Sequence, residues 1–156
     1  MKAITARDID ILARTIDGEA EGETTQAKIG VAYCVMRRAA LASAYVATHS
    51  KPHPLYGDGS VAAACLATTF NRAGAKVWQF DCWIDGTADS RRIAAKTLDD
   101  PNFQNCYAAT LDGLLGRVAD PTNGATHYWD ISIATPSWAQ NKPFLSIGHL
   151  RFVNLG

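Results

Sequence analysis

The sequence lacks an excess of charge of either sign, a long apolar run and any internal repeat. Fifteen Lys and Arg side chains balance fifteen Asp and Glu side chains, so no net field draws the protein to nucleic acid or to an anionic membrane. No stretch approaches the ~20 consecutive apolar residues that a membrane-spanning helix needs. We therefore expect neither a nucleic-acid partner nor insertion into a membrane.

Cysteine is scarce, and the cysteines present are far apart. Cys34, Cys65, Cys82 and Cys106 form no C-x-x-C pair and no Cys/His pattern with the spacing of a zinc site. We expect them to be small buried apolar side chains, although Cys65 and Cys82 could form a bridge in an oxidising compartment. No metal and no cofactor are expected.

The N-terminal residues lack the pattern of a secretory signal. In MKAITARDIDILARTID, Arg7, Asp8 and Asp10 interrupt the apolar stretch of ~7–15 residues that such a signal requires. We expect a soluble protein that is made in the cytoplasm. Any target beyond the membrane then requires a separate delivery route.

The length of the sequence and its apolar periodicity indicate one mostly helical domain, residues 1–156. Hydrophobic residues are 47% and charged residues 19% of the chain, as in globular proteins. Apolar periodicity and capping residues predict four helices, from Thr5 to Gly22, Thr24 to about Tyr45, Ser60 to Arg72 and Asp100 to about Val118. A loop is predicted over 49–60, an irregular aromatic segment over 74–90 and short β-prone pieces over 119–156. The fold class is therefore α+β, with a small, irregular β-rich part.

Four carboxylates crowd the end of the first predicted helix, in DGEAEGE at residues 17–23. On a helix wound at ~100° per residue, Glu19 projects from the apolar face that carries Leu12 and Ile16. Burial and the negative end of the helix dipole both raise the pKa of a carboxyl group there, which suits a general acid near neutral pH. The other acids are predicted to point toward water: Asp10, Asp17 and Glu21.

Glycosidic-bond cleavage uses a carboxylic acid of this kind beside a cleft that holds sugar rings. Aromatic side chains for such a cleft are frequent in the irregular segments: Trp78, Phe80, Trp83, Tyr128, Trp129 and Trp138. A purely structural role is also open to Glu19. Its carboxylate would then bond backbone groups or pair with Arg37 or Arg38.

The motifs GEAEGE, GVAYCVMRR, WQFDCW, DPTNGATHYW, P-S-W and IGHLRF follow one another along the chain. In that order they resemble the SleB/CwlJ-type cell wall hydrolases, the catalytic domains of spore-cortex-lytic enzymes that are also found in phage-type lysins. The resemblance covers residues 9–152 and implies a small lysozyme-like α+β domain. Two positions depart from the family pattern: Glu21 stands where Arg is common, and Arg37-Arg38 stand where the family has Asn-Arg.

The resemblance implies that Glu19 is the catalytic acid and that Glu23 and Tyr128 support it. The substrate-binding residues that it implies are Gln79, Phe80, Thr126, His127 and Trp138. For His127 and Trp138 a structural role is equally compatible with the sequence.

The implied reaction is cleavage of peptidoglycan glycan strands between N-acetylmuramic acid and N-acetylglucosamine, of the lytic transglycosylase type. A hydrolytic muramidase would need a second carboxylate, for which Glu23 and Asp81 are candidates. The sequence also leaves open a Cys/His peptidase or amidase using Cys82 and His127, a zinc amidase and a non-catalytic wall-binding module. We expect a monomeric lysin of phage or prophage type that reaches the bacterial cell wall through a holin-type partner or on a particle.

Overall fold

A computed structural model describes residues 2–156. Over these residues the chain forms five α-helices and five short β-strands, so the predicted α+β class is confirmed. In chain order the elements are α1 (Ala6–Ala20), α2 (Thr25–His49), α3 (Val61–Leu66), β1 (Thr68–Phe70), β2 (Lys76–Trp78), α4 (Ala88–Ala95), α5 (Pro101–Leu114), β3 (His127–Asp130), β4 (Leu145–Ile147) and β5 (Leu150–Val153). None of the helices in this part of the chain is long and apolar enough to cross a bilayer.

The predicted helix starts agree with the structure because each has a capping side chain. Thr5 accepts a hydrogen bond from the Asp8 amide, and the Asp8 carboxylate accepts one from the Thr5 amide. This reciprocal capping box satisfies two amides that the first helical turn leaves free. The other three predicted helices also begin with a capping side chain, after Thr24, Ser60 and Asp100.

The core lies where α2 packs against α1, α3 and α5. The C-terminal sheet reaches the same core through Phe152, which packs against α2. A Cβ atom on Gly30 of α2 would come within 2.8 Å of the Phe152 ring, so glycine permits this close approach. All four cysteines are buried with free thiols, as expected for small apolar side chains.

The C-terminal sheet is antiparallel with the strand order β3-β5-β4. In its register Tyr128 lies opposite Phe152, and Asp130 lies opposite Leu150. Because alternate residues of a strand share one face of the sheet, Tyr128 and Asp130 project in the same direction.

The segment between α2 and α5 is more regular than the sequence predicted. Helix α3 ends at Leu66, well before Arg72, because the β-prone residues that follow pair with β2. The side-chain carbonyl of Asn71 accepts the amides of Ala73 and Ala75 and so closes the turn of this hairpin. Helix α4 was not predicted and begins after a Thr87 cap.

Candidate active site

Asp17 is buried, which corrects the prediction that it points toward water. Its carboxylate is fully inaccessible and lies 2.8 Å from Arg92 Nη1 and 3.5 Å from Lys96 Nζ. Glu21, one turn further along, is half-buried and contacts the same two cations. The reason is that α4 packs on this side of α1, with Arg92 in the helix and Lys96 directly after it, and α4 was not recognised in the sequence.

Glu19 lies in the last turn of α1 on a different side from that ion-pair cluster. Its side chain is half-buried, and its Oε2 accepts a hydrogen bond of 3.1 Å from the Tyr128 hydroxyl. Glu19 does not pair with either arginine of α2. Arg37 instead pairs with Asp120, and Arg38 Nε donates to the backbone carbonyl of Thr126 at 2.8 Å.

The surroundings of Glu19 raise the pKa of its carboxyl group. Burial is the largest cause, and it is opposed by hydrogen bonds from Tyr128 and Cys82 that favour the charged form. The negative charge of Asp81 raises the pKa further. A neutral carboxyl group that persists toward neutral pH can donate a proton to a substrate.

A cleft of about 390 Å³ opens beside Glu19. One wall comes from the segment after β2 and consists of Gln79, Phe80 and Asp81. The other wall comes from the C-terminal sheet and the loop after β3: Tyr128, Trp129, Asp130, Ile133, Pro136, Trp138 and Leu150. The cleft therefore joins a protonatable carboxyl group to aromatic and polar side chains, the combination that carbohydrate binding requires.

Gly18 brings the first wall close to Glu19. A Cβ atom at this position would lie 2.8 Å from Cys82 Sγ, so only glycine lets the short 3-10 helix Asp81–Trp83 pack directly on α1. The neighbouring Trp83 fixes that packing, because its indole N–H donates to the Thr15 hydroxyl at 3.0 Å.

Three larger grooves elsewhere on the described surface lack the chemistry of this cleft. One of about 480 Å³ is lined by Leu41, Ala44 and Asn154 among others, and one of about 640 Å³ lies between the start of α2 and β4; neither lining contains an acidic side chain. The third, of about 480 Å³, contains Asp58, but no aromatic side chain lines it, and hydrogen bonds from Lys2 and Ser60 lower the pKa of this carboxyl group to about 2. The smaller cleft is therefore the better candidate for an active site.

The structure brings some of the predicted binding residues together and separates others. Gln79, Phe80 and Trp138 line the cleft. Thr126 is buried, and its hydroxyl contacts His127 Nδ1 at 2.9 Å and accepts the Leu155 amide at 3.1 Å.

The imidazole of His127 lies behind Trp138, with ring centroids 5.4 Å apart. Burial and the charge of Arg38 lower its pKa to about 4. Thr126 and His127 are thus not part of the cleft lining. They contact residues that support its wall.

Glu23 does not contact Glu19 through a hydrogen bond. Its carboxylate accepts the backbone amide of His149 at 3.1 Å and contacts His149 Nδ1 at 2.9 Å. These bonds tie the start of α2 to the turn between β4 and β5. The predicted support of the site by Glu23 is therefore at most indirect, through the position of the sheet.

Cys82 and His127 do not form a nucleophile and base pair. The Cys82 thiol is buried, and burial together with the nearby Glu19 carboxylate raises its pKa. The His127 nitrogens contact Thr126 and, at 3.5 Å, the Tyr56 hydroxyl. A thiol with a raised pKa and no histidine partner is a poor nucleophile.

The aromatic candidate Trp129 does line the cleft, but several lining residues were missed from the sequence: Asp130, Ile133, Pro136 and Leu150. Asp130 had a usable signal, because it stands two residues after Tyr128 in a β-prone segment and must share its face. The positions of Ile133 and Pro136 depend on the path of an irregular loop. No local pattern indicates that path.

The family model for cell wall hydrolases matches residues 22–153. The chain therefore belongs to the cell wall hydrolase family, which confirms the resemblance found in the sequence and makes the protein an enzyme of the bacterial cell wall. The match begins after Glu19, so the role of that residue depends on the geometry of the cleft.

Two solved structures share the fold over almost the entire chain. One is the catalytic domain of the germination-specific lytic transglycosylase SleB from Bacillus anthracis, with a TM-score of 0.63 and 22% identity over 99% of both chains. The other is the catalytic domain of the Bacillus cereus SleB protein, with a TM-score of 0.60 and 22% identity over 99% of this chain and 94% of that one. No curated protein sequence matches the chain.

Proposed function

We propose that the protein cleaves peptidoglycan glycan strands between N-acetylmuramic acid and N-acetylglucosamine, with Glu19 as the general acid. The main support for this proposal is that burial raises the pKa of the Glu19 carboxyl group at the edge of an aromatic cleft. Membership of the cell wall hydrolase family supplies the substrate class.

In the first step the neutral Glu19 carboxyl group donates its proton to the glycosidic oxygen. The bond between that oxygen and the anomeric carbon of muramic acid breaks, and its electron pair leaves with the oxygen. Positive charge then spreads over the anomeric carbon and the ring oxygen. The Tyr128 hydroxyl, 3.1 Å from Glu19 Oε2, stabilises the carboxylate that this step creates.

In a lytic transglycosylase the same carboxylate completes the reaction. Glu19 takes the proton of the muramic C6 hydroxyl while the C6 oxygen bonds to the anomeric carbon, which gives a 1,6-anhydro end. We favour this route because one acid serves both steps, and because a protein that shares the fold is named as a lytic transglycosylase.

Aromatic side chains of the cleft provide surfaces against which sugar rings pack. Trp138 leaves 41% of its surface exposed and contacts Trp129 edge to face. Gln79 on the opposite wall supplies an amide that can bond an acetamido or hydroxyl group.

Hydrolysis with water in place of the C6 hydroxyl is the second candidate. It is favoured by the presence of two further carboxylates, Asp81 and Asp130, among the residues that line the cleft. Hydrolysis needs a second carboxylate beside the one that protonates the leaving group, and these two are the candidates for it.

Digestion of purified peptidoglycan sacculi, followed by mass spectrometry of the soluble fragments, tests the proposal. We expect fragments that end in 1,6-anhydromuramic acid. Fragments with reducing muramic ends would instead indicate hydrolysis, the reaction of a muramidase. Cut stem peptides with intact glycan strands would contradict glycosidase activity and favour a peptidase or amidase, and binding without any fragments would indicate a wall-binding module.

The wider biological role belongs to the same proposal. We propose that residues 1–156 act as one monomeric domain and as a phage-type lysin that needs a holin-type partner to reach the wall. Expression inside a bacterium with and without a pore-forming partner tests this route. Lysis only in the presence of the partner is the expected result, and lysis without it would contradict the delivery route.

A further inference from the structure

Asp130 is the residue of the cleft to which neither the sequence pattern nor the family match gives a role. It is the last residue of β3, two positions after Tyr128, and it pairs with Leu150 of β5. The two side chains therefore project from the same face of the strand, about 7 Å apart along it. Because the Tyr128 hydroxyl bonds Glu19, Asp130 stands one strand repeat from the residue that holds the general acid, and both line the cleft.

Asp130 and Glu19 lie in the same cleft but in opposite surroundings. Asp130 Oδ1 accepts the amide N–H of Ser132 at 2.7 Å. The Ser132 side chain and amide, aided by His149, hold the pKa of Asp130 below its usual value. Burial instead raises the pKa of Glu19. Two carboxyl groups of one site whose pKa values are driven apart in this way are candidates for the acid and its ionised partner in glycoside cleavage.

We propose that Asp130 is a second catalytic carboxylate, whose negative charge faces the positive charge that develops at the anomeric carbon when Glu19 protonates the leaving oxygen. The proposal rests on the proposed function and deepens it. Asp130 forms no bond to the sugar in this role and transfers no proton. The electron pair of the broken bond leaves with the oxygen, and the C6 oxygen or water forms the new bond.

Asp81, the other carboxylate of the cleft, is less suited to this role. It is the exposed carboxylate of the lining, and among residues 2–156 no side-chain hydrogen bond or ion pair holds its carboxylate. A charge that is solvated and free to rotate stabilises a transition state less than one held in place before the reaction. Its charge reaches Glu19 and raises the pKa there, so Asp81 acts on the acid more than on the sugar.

The test compares D130N with the wild type on purified sacculi or on soluble glycan fragments. Asparagine keeps the oxygen that accepts the Ser132 amide, so the turn is retained while the charge is lost. We expect kcat to fall by about 100-fold, the scale for removal of one fixed electrostatic group, while KM changes by less than about threefold. D81N should lower kcat by less than about tenfold.

Two further variants separate a catalytic charge from a structural role. D99N makes the same chemical change at an exposed position outside the cleft, and its activity should equal that of the wild type. D130E restores the charge on a longer side chain, and its kcat should exceed that of D130N by about tenfold or more. A loss in D130N that appears only in KM, or that D130E does not relieve, overturns the proposal.

The failure of this inference is distinguishable from failure of the proposed function. If the wild type releases no glycan fragments, or E19Q is as active as the wild type, the proposed function falls. If the wild type is active, E19Q is inactive and D130N retains wild-type kcat, only the role of Asp130 falls. Thermal melts of each variant show whether the protein under test is folded.

Discussion

Two sides of α1 place carboxylates two residues apart in opposite environments. On one side Asp17 is fully buried and lies within 3.5 Å of two cations, Arg92 and Lys96. On the other side Glu19 is half-buried beside the cleft, and its partner is the neutral hydroxyl of Tyr128. The same chemical group therefore serves as one end of a structural ion pair at one position and as a candidate proton donor at the next.

The difference shows that the neighbours of a carboxylate decide its function more than its residue type or its burial. Burial without a cation raises a carboxyl pKa, which is the case for Glu19. Burial against cations keeps a carboxylate charged and makes its loss costly to the fold. Activity and stability measurements on matched variants of the two sides test this comparison.

The largest expected effect is the loss of activity in E19Q. Glutamine occupies the same volume but cannot donate the proton, so the rate of glycan cleavage should fall by about 10³-fold or more. Release of soluble fragments from sacculi measures this. The matched control is E21Q, a neighbouring acid bound to the ion-pair cluster, which should keep the wild-type rate.

E19Q should remain folded and should be at least as stable as the wild type at neutral pH. The raised pKa of Glu19 means that the folded state holds its proton more tightly than the unfolded state does. The wild type therefore loses stability as the pH rises from about 4.5, the ordinary pKa, through the raised value. E19Q avoids this loss. The difference in Tm between E19Q and the wild type should therefore vanish at pH values well below about 4.5. Melting curves that show E19Q unfolded would contradict the comparison.

The second effect is a loss of stability in D17N with little change in activity. Removing the charge leaves Arg92 and Lys96 without their buried partner, so the free energy of unfolding should fall by about 3 kcal/mol. Urea denaturation measures this, and activity per folded molecule should stay at the wild-type value. E21Q, whose carboxylate is partly solvated, should lose less than about 1 kcal/mol. Equal stability of D17N and the wild type would show that the ion pair is not structural.

The smallest effect is expected for Y128F. Phenylalanine keeps the ring that packs near Phe152 but loses the hydroxyl that bonds Glu19. That bond stabilises the charged form, so its loss raises the pKa of Glu19. The alkaline limb of the pH–rate profile should move to higher pH, and the maximal rate should fall by about three- to tenfold, as for one hydrogen bond. An alkaline limb that stays in place or moves to lower pH would contradict the role of Tyr128.

Much of the helical part could be predicted because its signals are local. The caps at Thr5 and Thr24 are formed by residues within one turn of the helix start. The apolar face of α1 is likewise a pattern within fifteen residues, and it was enough to single out Glu19. The hairpin of β1 and β2 was missed because its strands are three residues each, too short for periodicity to separate them from a helix end.

The candidate site was only partly predictable because its walls come from distant parts of the chain. Gln79, Phe80 and Trp138 were indicated by the family resemblance and line the cleft. Thr126 and His127 carry the same motif but lie behind the wall, because their side chains bond Leu155 and pack on Trp138. A motif records which residues recur together, and it does not tell which of them face the substrate.

The order of the amino acids was enough to predict the α+β class, the family, the starts of four of the five helices and the apolar side of α1 from which Glu19 projects. Two contacts depend on the folded chain: Arg92 and Lys96 lie against Asp17, and β3 brings Tyr128 to Glu19. The difference lies in how far apart the interacting residues are along the chain. Capping and helical periodicity act within a few residues, whereas the hydrogen bond between Tyr128 and Glu19 joins residues 109 positions apart.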